Sequence, residues 1–239
     1  MNVTTDYHVH GDNIVECERA FELIQWALKN EIVSISGPHG TPVCPKFTLN
    51  VRYIDKPIDL TFFPGFGRWN EDILQLVRER GGVLREAADV IISGVSTGVE
   101  EPLVAIEYCG ALPAGNQAWQ RSGRAYSFGQ ARIPYLYVAE LGGYELDSSR
   151  GRKAPRMPNP AVPFSYLSYS IEQSTPVLPV FITSPGADET SHSAHADEFA
   201  DEELIALTRA IFLHEDASAI RETLRRKIFA LVKKRAEEG

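Results

Sequence analysis

Apolar side chains recur at intervals of three and four residues between positions 14 and 29. Ile14, Cys17, Phe21, Ile24 and Leu28 therefore share one face, which predicts an amphipathic helix. Further helices are predicted at 71–80, 114–130, 198–215 and 217–236. Apolar or alternating runs predict strands at 5–10 (a strand or a turn), 32–36, 47–54, 58–63, 88–92, 103–109, 134–141 and 177–183. This succession predicts an α/β fold in which helices flank a central mixed sheet.

The pattern divides the chain into three consecutive segments. Residues 1–141 hold most of the predicted strands, and we expect them to form a catalytic core. Residues 142–197 contain a loop rich in Gly, Ser, Pro and Arg at 142–163, then a strand and a polar loop, and they are expected to complete the same domain. Residues 198–239 are predicted to form a C-terminal helical element that serves dimerisation or recognition.

Two acidic residues lie inside apolar strands near the middle of the chain. Asp89 lies in the run at 88–92 and Glu107 in the run at 103–109, and the loop between the strands has hairpin length. A buried carboxylate is costly unless it is paired or bound to a cation. If neighbouring strands bring both groups together, they form an oxygen-rich site suited to Mg²⁺. The alternative is a pair of strand-end carboxylates that face solvent.

The order of helix, strands, helix and strand, with Asp89 on one strand and Glu107 on the next, resembles the PD-(D/E)XK superfamily of type II restriction endonucleases. The resemblance covers about residues 10–140. It implies a restriction-endonuclease-like core and a metal-dependent hydrolysis of DNA phosphodiester bonds.

The resemblance also implies a set of metal ligands. In that family an acidic residue on the first core helix often assists the metal, and Glu18 is the best match, with Glu16 and Glu22 behind it. One or two divalent cations are then expected at the site. The implied ligands are Glu18, Asp89, Glu107 and the carbonyl of Tyr108.

The chain departs from the family pattern two residues after Glu107. The family has a lysine there, whereas this chain has Cys109, a thiol that supplies no fixed positive charge to the transition state. Family members sometimes carry Glu or Gln instead, or recruit a cation from the next helix. Polar candidates at helical spacing follow in this chain, namely Gln117, Gln120, Arg121 and Arg124. The face of the helix that carries these residues would point into the site, contact a DNA phosphate, or be exposed to solvent.

The densest basic run of the chain lies in the predicted loop at 142–163. Its cations are Arg150, Arg152, Lys153 and Arg156. Such a cluster in a loop suits contact with DNA phosphates or insertion into a groove. The alternative is a solvated loop, and the contrast with a net charge of −8 favours DNA.

His8 and His10 form a competing signal. An HxH pair at a strand end, followed by Asp12, resembles the first metal motif of amidohydrolases and PHP-type phosphoesterases. Strand alternation places both imidazoles on one face, which suits Zn²⁺ or Mn²⁺. Such sites need further ligands on later strands, and the pattern of an eight-fold barrel is absent. A polar turn is therefore favoured, and within a nuclease these histidines would contact DNA phosphate.

Composition narrows the class of protein. The 239 residues are 44% hydrophobic and carry a net charge of −8, which argues against a broadly basic nucleic-acid coat. Three widely spaced cysteines without a CxxC pair predict reduced thiols in a cytoplasmic protein. Neither a signal peptide nor an apolar run of membrane-spanning length occurs, so we expect no membrane partner.

Together these patterns predict a Mg²⁺-dependent endonuclease that cuts double-stranded DNA by in-line hydrolysis. A sequence-specific type II restriction enzyme that acts as a homodimer is expected, since two active sites cut two strands. Two other hypotheses stay open. One is a metal-dependent hydrolase centred on the histidines, and the other is a DNA-binding module that kept the fold and lost catalysis.

Overall fold

One mixed β-sheet dominates the described part of the chain. The computed structural model describes residues 5–52, 54–66, 72–84, 86–110, 116–143, 149, 151, 159–194 and 196–238. Of residues 116–120, 191, 192, 194 and 238 it describes the backbone alone. The sheet has eight strands within these ranges. The strands are β1 Asp6–Gly11, β2 Ile32–Thr41, β3 Cys44–Val51, β4 Ile58–Pro64, β5 Val90–Ser96, β6 Val99–Cys109, β7 Tyr135–Leu141 and β8 Val177–Thr183.

The strand order in the sheet differs from the order in the chain. Across the sheet it is β2-β3-β4-β1-β5-β6-β7-β8. Strand β1 is parallel to β4, and β6, β7 and β8 are mutually parallel, whereas the other neighbouring pairs are antiparallel. The first strand of the chain therefore lies in the middle of the sheet, next to the hairpin of β5 and β6.

Helices cover both faces of this sheet. They are α1 Ile14–Ala27, α2 Ile73–Glu79, α3 Asn116–Gln130, α4 Ala161–Glu172, α5 Glu189–Ala194, α6 Asp201–Leu213 and α7 Ser218–Glu238. The side chain of Asn13 caps α1, because its Oδ1 accepts hydrogen bonds from the N–H groups of Val15 and Glu16 at 2.8 and 3.2 Å. This cap fixes the first turn of α1 directly beyond the end of β1. The observed α/β class, a mixed sheet flanked by helices, confirms the prediction.

Two buried apolar clusters lie on opposite faces of the sheet. Residues of α1 and α6 pack on one face against Val9, Ile92 and Ile106. Residues of α2, α3 and α4 pack on the other face, around Ile91 and Tyr135. Helix α7 contributes to both clusters, so the predicted C-terminal helical element packs onto the sheet.

A tight hairpin brings the two acidic strands together. Strand β5 ends at Ser96 and β6 begins at Val99, and the two residues between them, Thr97 and Gly98, have positive φ angles of 51° and 78°. Two consecutive residues with positive φ match the twist of an antiparallel pair. In the resulting register Val90 is opposite Ile106, so the residues that precede and follow this pair are neighbours across the hairpin.

Two regions differ from the sequence-based prediction. Strand β2 extends beyond Ser36, where the prediction ended it, and continues through Gly37 to Thr41. Its pairing with β3 is irregular between Ser36 and His39. Helix α4 was not predicted, because apolar residues occupy its exposed side as well as its buried side and its sequence lacks a clear 3.6-residue period. Short helix α5 lies in the predicted polar loop.

No helix in the described ranges is long and apolar enough to cross a membrane.

Candidate functional site

Asp89 and Glu107 lie side by side, as the sequence predicted from the hairpin spacing. Asp89 directly precedes β5, and its Oδ2 accepts a hydrogen bond of 2.7 Å from the backbone N–H of Tyr108. The carbonyl of Asp89 accepts a hydrogen bond of 2.9 Å from the N–H of Asp12, which follows β1. Asp89 is thus held by the ends of both neighbouring strands. The proposed ligand role of the Tyr108 carbonyl stays a prediction.

Glu107 is fully buried and is held by two arginines of α3. Arg121 donates from Nε to Glu107 Oε1 at 2.5 Å, and Arg124 donates from Nη1 to both carboxylate oxygens at 3.0 and 3.1 Å. The hydroxyl of Tyr135 donates to Oε2 at 3.4 Å. A carboxylate has about four lone-pair positions. These contacts therefore satisfy Glu107 with protein donors, and they keep its charge compensated inside the fold.

Arg121 also approaches the position at which the family pattern has a lysine. Its Nη1 lies 3.9 Å from the Sγ of Cys109, which is buried on the same face of β6 as Glu107. A positive charge from the next helix thus lies beside Cys109, and the catalytic role predicted for it stays a prediction. Of the other predicted residues on this helix, the side chains of Gln117 and Gln120 lie outside the description.

Helix α1 brings Glu16 to this site. The Glu16 side chain is 18% exposed, and its Oε2 is buried without a hydrogen-bond partner in the described part of the chain. Arg19 lies 3.8 Å from that oxygen and stacks over the ring of Tyr108 at 4.3 Å. Glu18, which the sequence favoured, is exposed instead. The Asn13 cap places Glu16 in the first turn of α1, just beyond the end of β1.

The pKa values of three carboxyl groups are raised at this point. Burial is the largest cause for each. The charge of Asp89 further raises the pKa of Glu16 and of Glu107, while arginines lower all three. Negative charges thus crowd together in a poorly solvated place, and a bound cation would relieve their repulsion.

The predicted DNA-contact residues fall on a part of the chain that is not described. They are Arg150, Arg152, Lys153 and Arg156, and all of them lie outside the described residues. Their role stays a prediction.

A second cluster forms around His8 and His10. The Oε2 of Glu100 lies 3.1 Å from His8 Nδ1, and its Oε1 lies 2.5 Å from His10 Nε2. Burial raises the pKa of Glu100, but hydrogen bonds from both histidines outweigh it and lower the pKa to about 2. Sequence reasoning missed Glu100, because β6 and β1 meet only across β5. The polar turn favoured for His8 and His10 was wrong, because both histidines lie on β1 in the middle of the sheet.

Comparison of the chain with models of known protein families, with curated proteins and with solved structures gives no match.

Proposed function

We propose that this chain is a Mg²⁺-dependent endonuclease that hydrolyses phosphodiester bonds of double-stranded DNA. The observation that carries the proposal is the meeting of Asp89, Glu107 and Arg121 at one point. Two strand carboxylates and a cation aimed beside them are the groups that metal-assisted phosphodiester hydrolysis requires. We further propose a restriction-endonuclease-like core, and a sequence-specific type II enzyme that acts as a homodimer.

The order of elements supports the proposed core. Helix α1 precedes every strand except β1, the acids lie on the antiparallel hairpin of β5 and β6 or directly before it, and α3 leads into β7 parallel to β6. This is the helix, strands, helix and strand order on which the resemblance rests. One difference is that β1, which precedes α1 in the chain, is the strand that pairs with β5.

The residues at the site fit a Mg²⁺ ion. Carboxylate oxygens are the ligands that this hard cation prefers. Glu16 offers a buried oxygen without a hydrogen-bond partner in the described ranges, and Asp89 uses Oδ2 for the Tyr108 N–H and keeps Oδ1 outside that bond. We assign Glu16, Asp89 and Glu107 as the residues that hold the metal, with Glu16 in place of Glu18.

Glu107 can join the metal only after a donor leaves it, because its oxygens are already occupied. Arg124 is the donor that exchanges, since it is 31% exposed and also binds the exposed Glu86 at 3.2 Å. Arg121 is 22% exposed, and it stays beside Glu107 and Cys109. When Arg124 turns outward, its guanidinium becomes available to a DNA phosphate.

The chemistry divides between the ion and the protein. When bound, Mg²⁺ supplies Lewis-acid polarisation of the scissile phosphate. Arg121 offers a fixed positive charge where negative charge develops on the phosphate oxygens. The basic residues at 150–156 are proposed to hold the DNA backbone, which fixes register without reading bases.

The test is cleavage of plasmid and phage DNA in Mg²⁺ and in EDTA, with Asp89→Asn beside the wild type. Discrete metal-dependent fragments that disappear in the variant are expected. Glu101→Gln is the matched control, because Glu101 lies on β6 with a 67% exposed side chain, away from the site, and its cleavage should be unchanged. Folded wild-type protein that binds DNA but cuts it in neither Mg²⁺ nor Mn²⁺ would refute the enzyme and indicate a DNA-binding module.

The acid of α1 is assigned by a second pair of variants. Glu16→Gln should weaken the response of cleavage to Mg²⁺, so that more metal is needed for half-maximal rate. The same shift in Glu18→Gln, and not in Glu16→Gln, would return the assignment to Glu18.

A further inference from the structure

Three potential metal ligands meet on one face of the sheet, and none of them belongs to the carboxylate and arginine centre. One ligand atom from each of His8, His10 and Glu100 lies within 4.8 Å of the other two. The histidines share a face of β1 because they are two residues apart, and Glu100 reaches them from β6 across β5. Two histidines and a carboxylate from separate strands converge here without help from a loop.

We propose that His8, His10 and Glu100 form a second metal site, which takes a borderline transition-metal ion and specifically Zn²⁺. Imidazole nitrogen favours Zn²⁺ over Mg²⁺, and a ligand set of two histidines and a glutamate is one that zinc enzymes use. The site is independent of the proposed nuclease centre, whose donors are all oxygens.

Charge at the cluster supports a bound cation. The carboxylate of Glu100 lies in a largely enclosed place, since its side chain is only 14% exposed. Within the described residues no lysine or arginine lies within ion-pair distance of it, and its partners are the two histidines. His10 is 2% exposed and stacks on Phe63, which shields this side of the cluster from water. A metal ion held by the three side chains would supply positive charge beside the enclosed carboxylate.

A buried hydroxyl lies next to the cluster. Ser93 on β5 is opposite His8 in the strand register, so its side chain is on the same face. It is fully buried, and its Oγ has no hydrogen-bond partner in the described part of the chain. Such a group normally has a partner, and a water molecule on the metal would provide one.

One residue of the cluster, His8, also lines a cavity. This cavity of about 510 Å³ lies over strands β1, β4, β3 and β2, and its charged or titratable lining residues besides His8 are Asp6, Asp59, Lys46 and His39. Three protein ligands leave a fourth tetrahedral position, and sites with such an open position are those that act on a substrate. The chemistry of the pocket, with both acidic and basic walls, suits a small polar molecule.

The test is a calorimetric titration of the metal-free chain with Zn²⁺. The number of Zn²⁺ ions per chain is also measured after dialysis. Wild type should bind one Zn²⁺ at this site, and Co²⁺ in its place should give the visible absorption of a tetrahedral site. Loss of a residue that only hydrogen-bonds to a metal ligand weakens metal binding by ~10–100-fold. Because His10→Ala and the more conservative Glu100→Gln each change a direct ligand, we expect a larger loss of Zn²⁺ affinity in both variants. Circular dichroism of each variant checks that it is folded.

Two controls separate this site from the proposed nuclease centre. His39→Ala removes a histidine that lines the pocket outside the cluster, and Asp89→Asn removes a proposed Mg²⁺ ligand. Both should bind Zn²⁺ as the wild type does. The proposal is overturned if the wild type binds no Zn²⁺, if folded His10→Ala and Glu100→Gln bind it with unchanged affinity, or if Asp89→Asn alone abolishes binding. Failure of DNA cleavage leaves this result unaffected.

Discussion

Replacement of Glu107 by glutamine tests the electrostatics of the buried centre directly. The substitution keeps the shape of the side chain and removes a charge that two arginines and Tyr135 compensate. Loss of one partner of a buried ion pair costs about 3–5 kcal/mol. The cost is smaller here, because the arginine side chains are 22% and 31% exposed and water reaches them, and because repulsion with Asp89 disappears. We expect the free energy of unfolding to fall by about 2 kcal/mol.

The measurement is chemical and thermal unfolding of Glu107→Gln beside the wild type. For a chain of this size, about 2 kcal/mol lowers the midpoint of thermal unfolding by roughly 4–8 °C. The urea midpoint should fall with an unchanged slope. Glu86→Gln is the control, because Glu86 is the exposed partner of Arg124, and a change within about 0.5 kcal/mol is expected. A Glu107→Gln variant as stable as the wild type would refute the reasoning, since the arginines would then not depend on this carboxylate.

Two further predictions follow from the same centre. Because the folded-state pKa values of Asp89 and Glu16 are raised above 3.8 for Asp and 4.5 for Glu, ionisation of these two groups destabilises the fold progressively as pH rises above those values. A bound Mg²⁺ offsets their charge, so it should raise the thermal midpoint more at pH 8 than at pH 4, and an equal shift at both pH values would contradict this. Arg121→Ala should lower the rate constant of DNA cleavage by about 10²–10³-fold, with partial recovery in Arg121→Lys, in single-turnover assays. Equal rates in both variants and the wild type would remove Arg121 from the mechanism.

Much of the fold could be predicted because it is encoded locally. Apolar spacing at 14–29 predicts α1, and the apolar runs around Asp89 and Glu107 predict β5 and β6, since periodicity reports which side of an element is buried. The loop between those strands is short, so the two strands were expected to pair with each other as a hairpin. This pairing implied that the two acids are neighbours. Helix α4 escaped prediction because the apolar side chains of Phe164 and Ile171 lie on its exposed side, so that polar residues alone do not mark its period.

The sequence by itself therefore determined most of the elements, the α/β class and the pairing of the two carboxylates across a hairpin. Only the tertiary structure decided which residues join them. Glu16 lies close enough to Asp89 to feel its charge, while Glu18 is exposed, because α1 begins directly after β1. Arg121 reaches Cys109 because α3 packs on the face of the sheet where Cys109 lies. Glu100 meets the histidines because β1 inserts between β4 and β5. Strand order depends on contacts between residues far apart in the chain, and therefore local sequence patterns do not determine it.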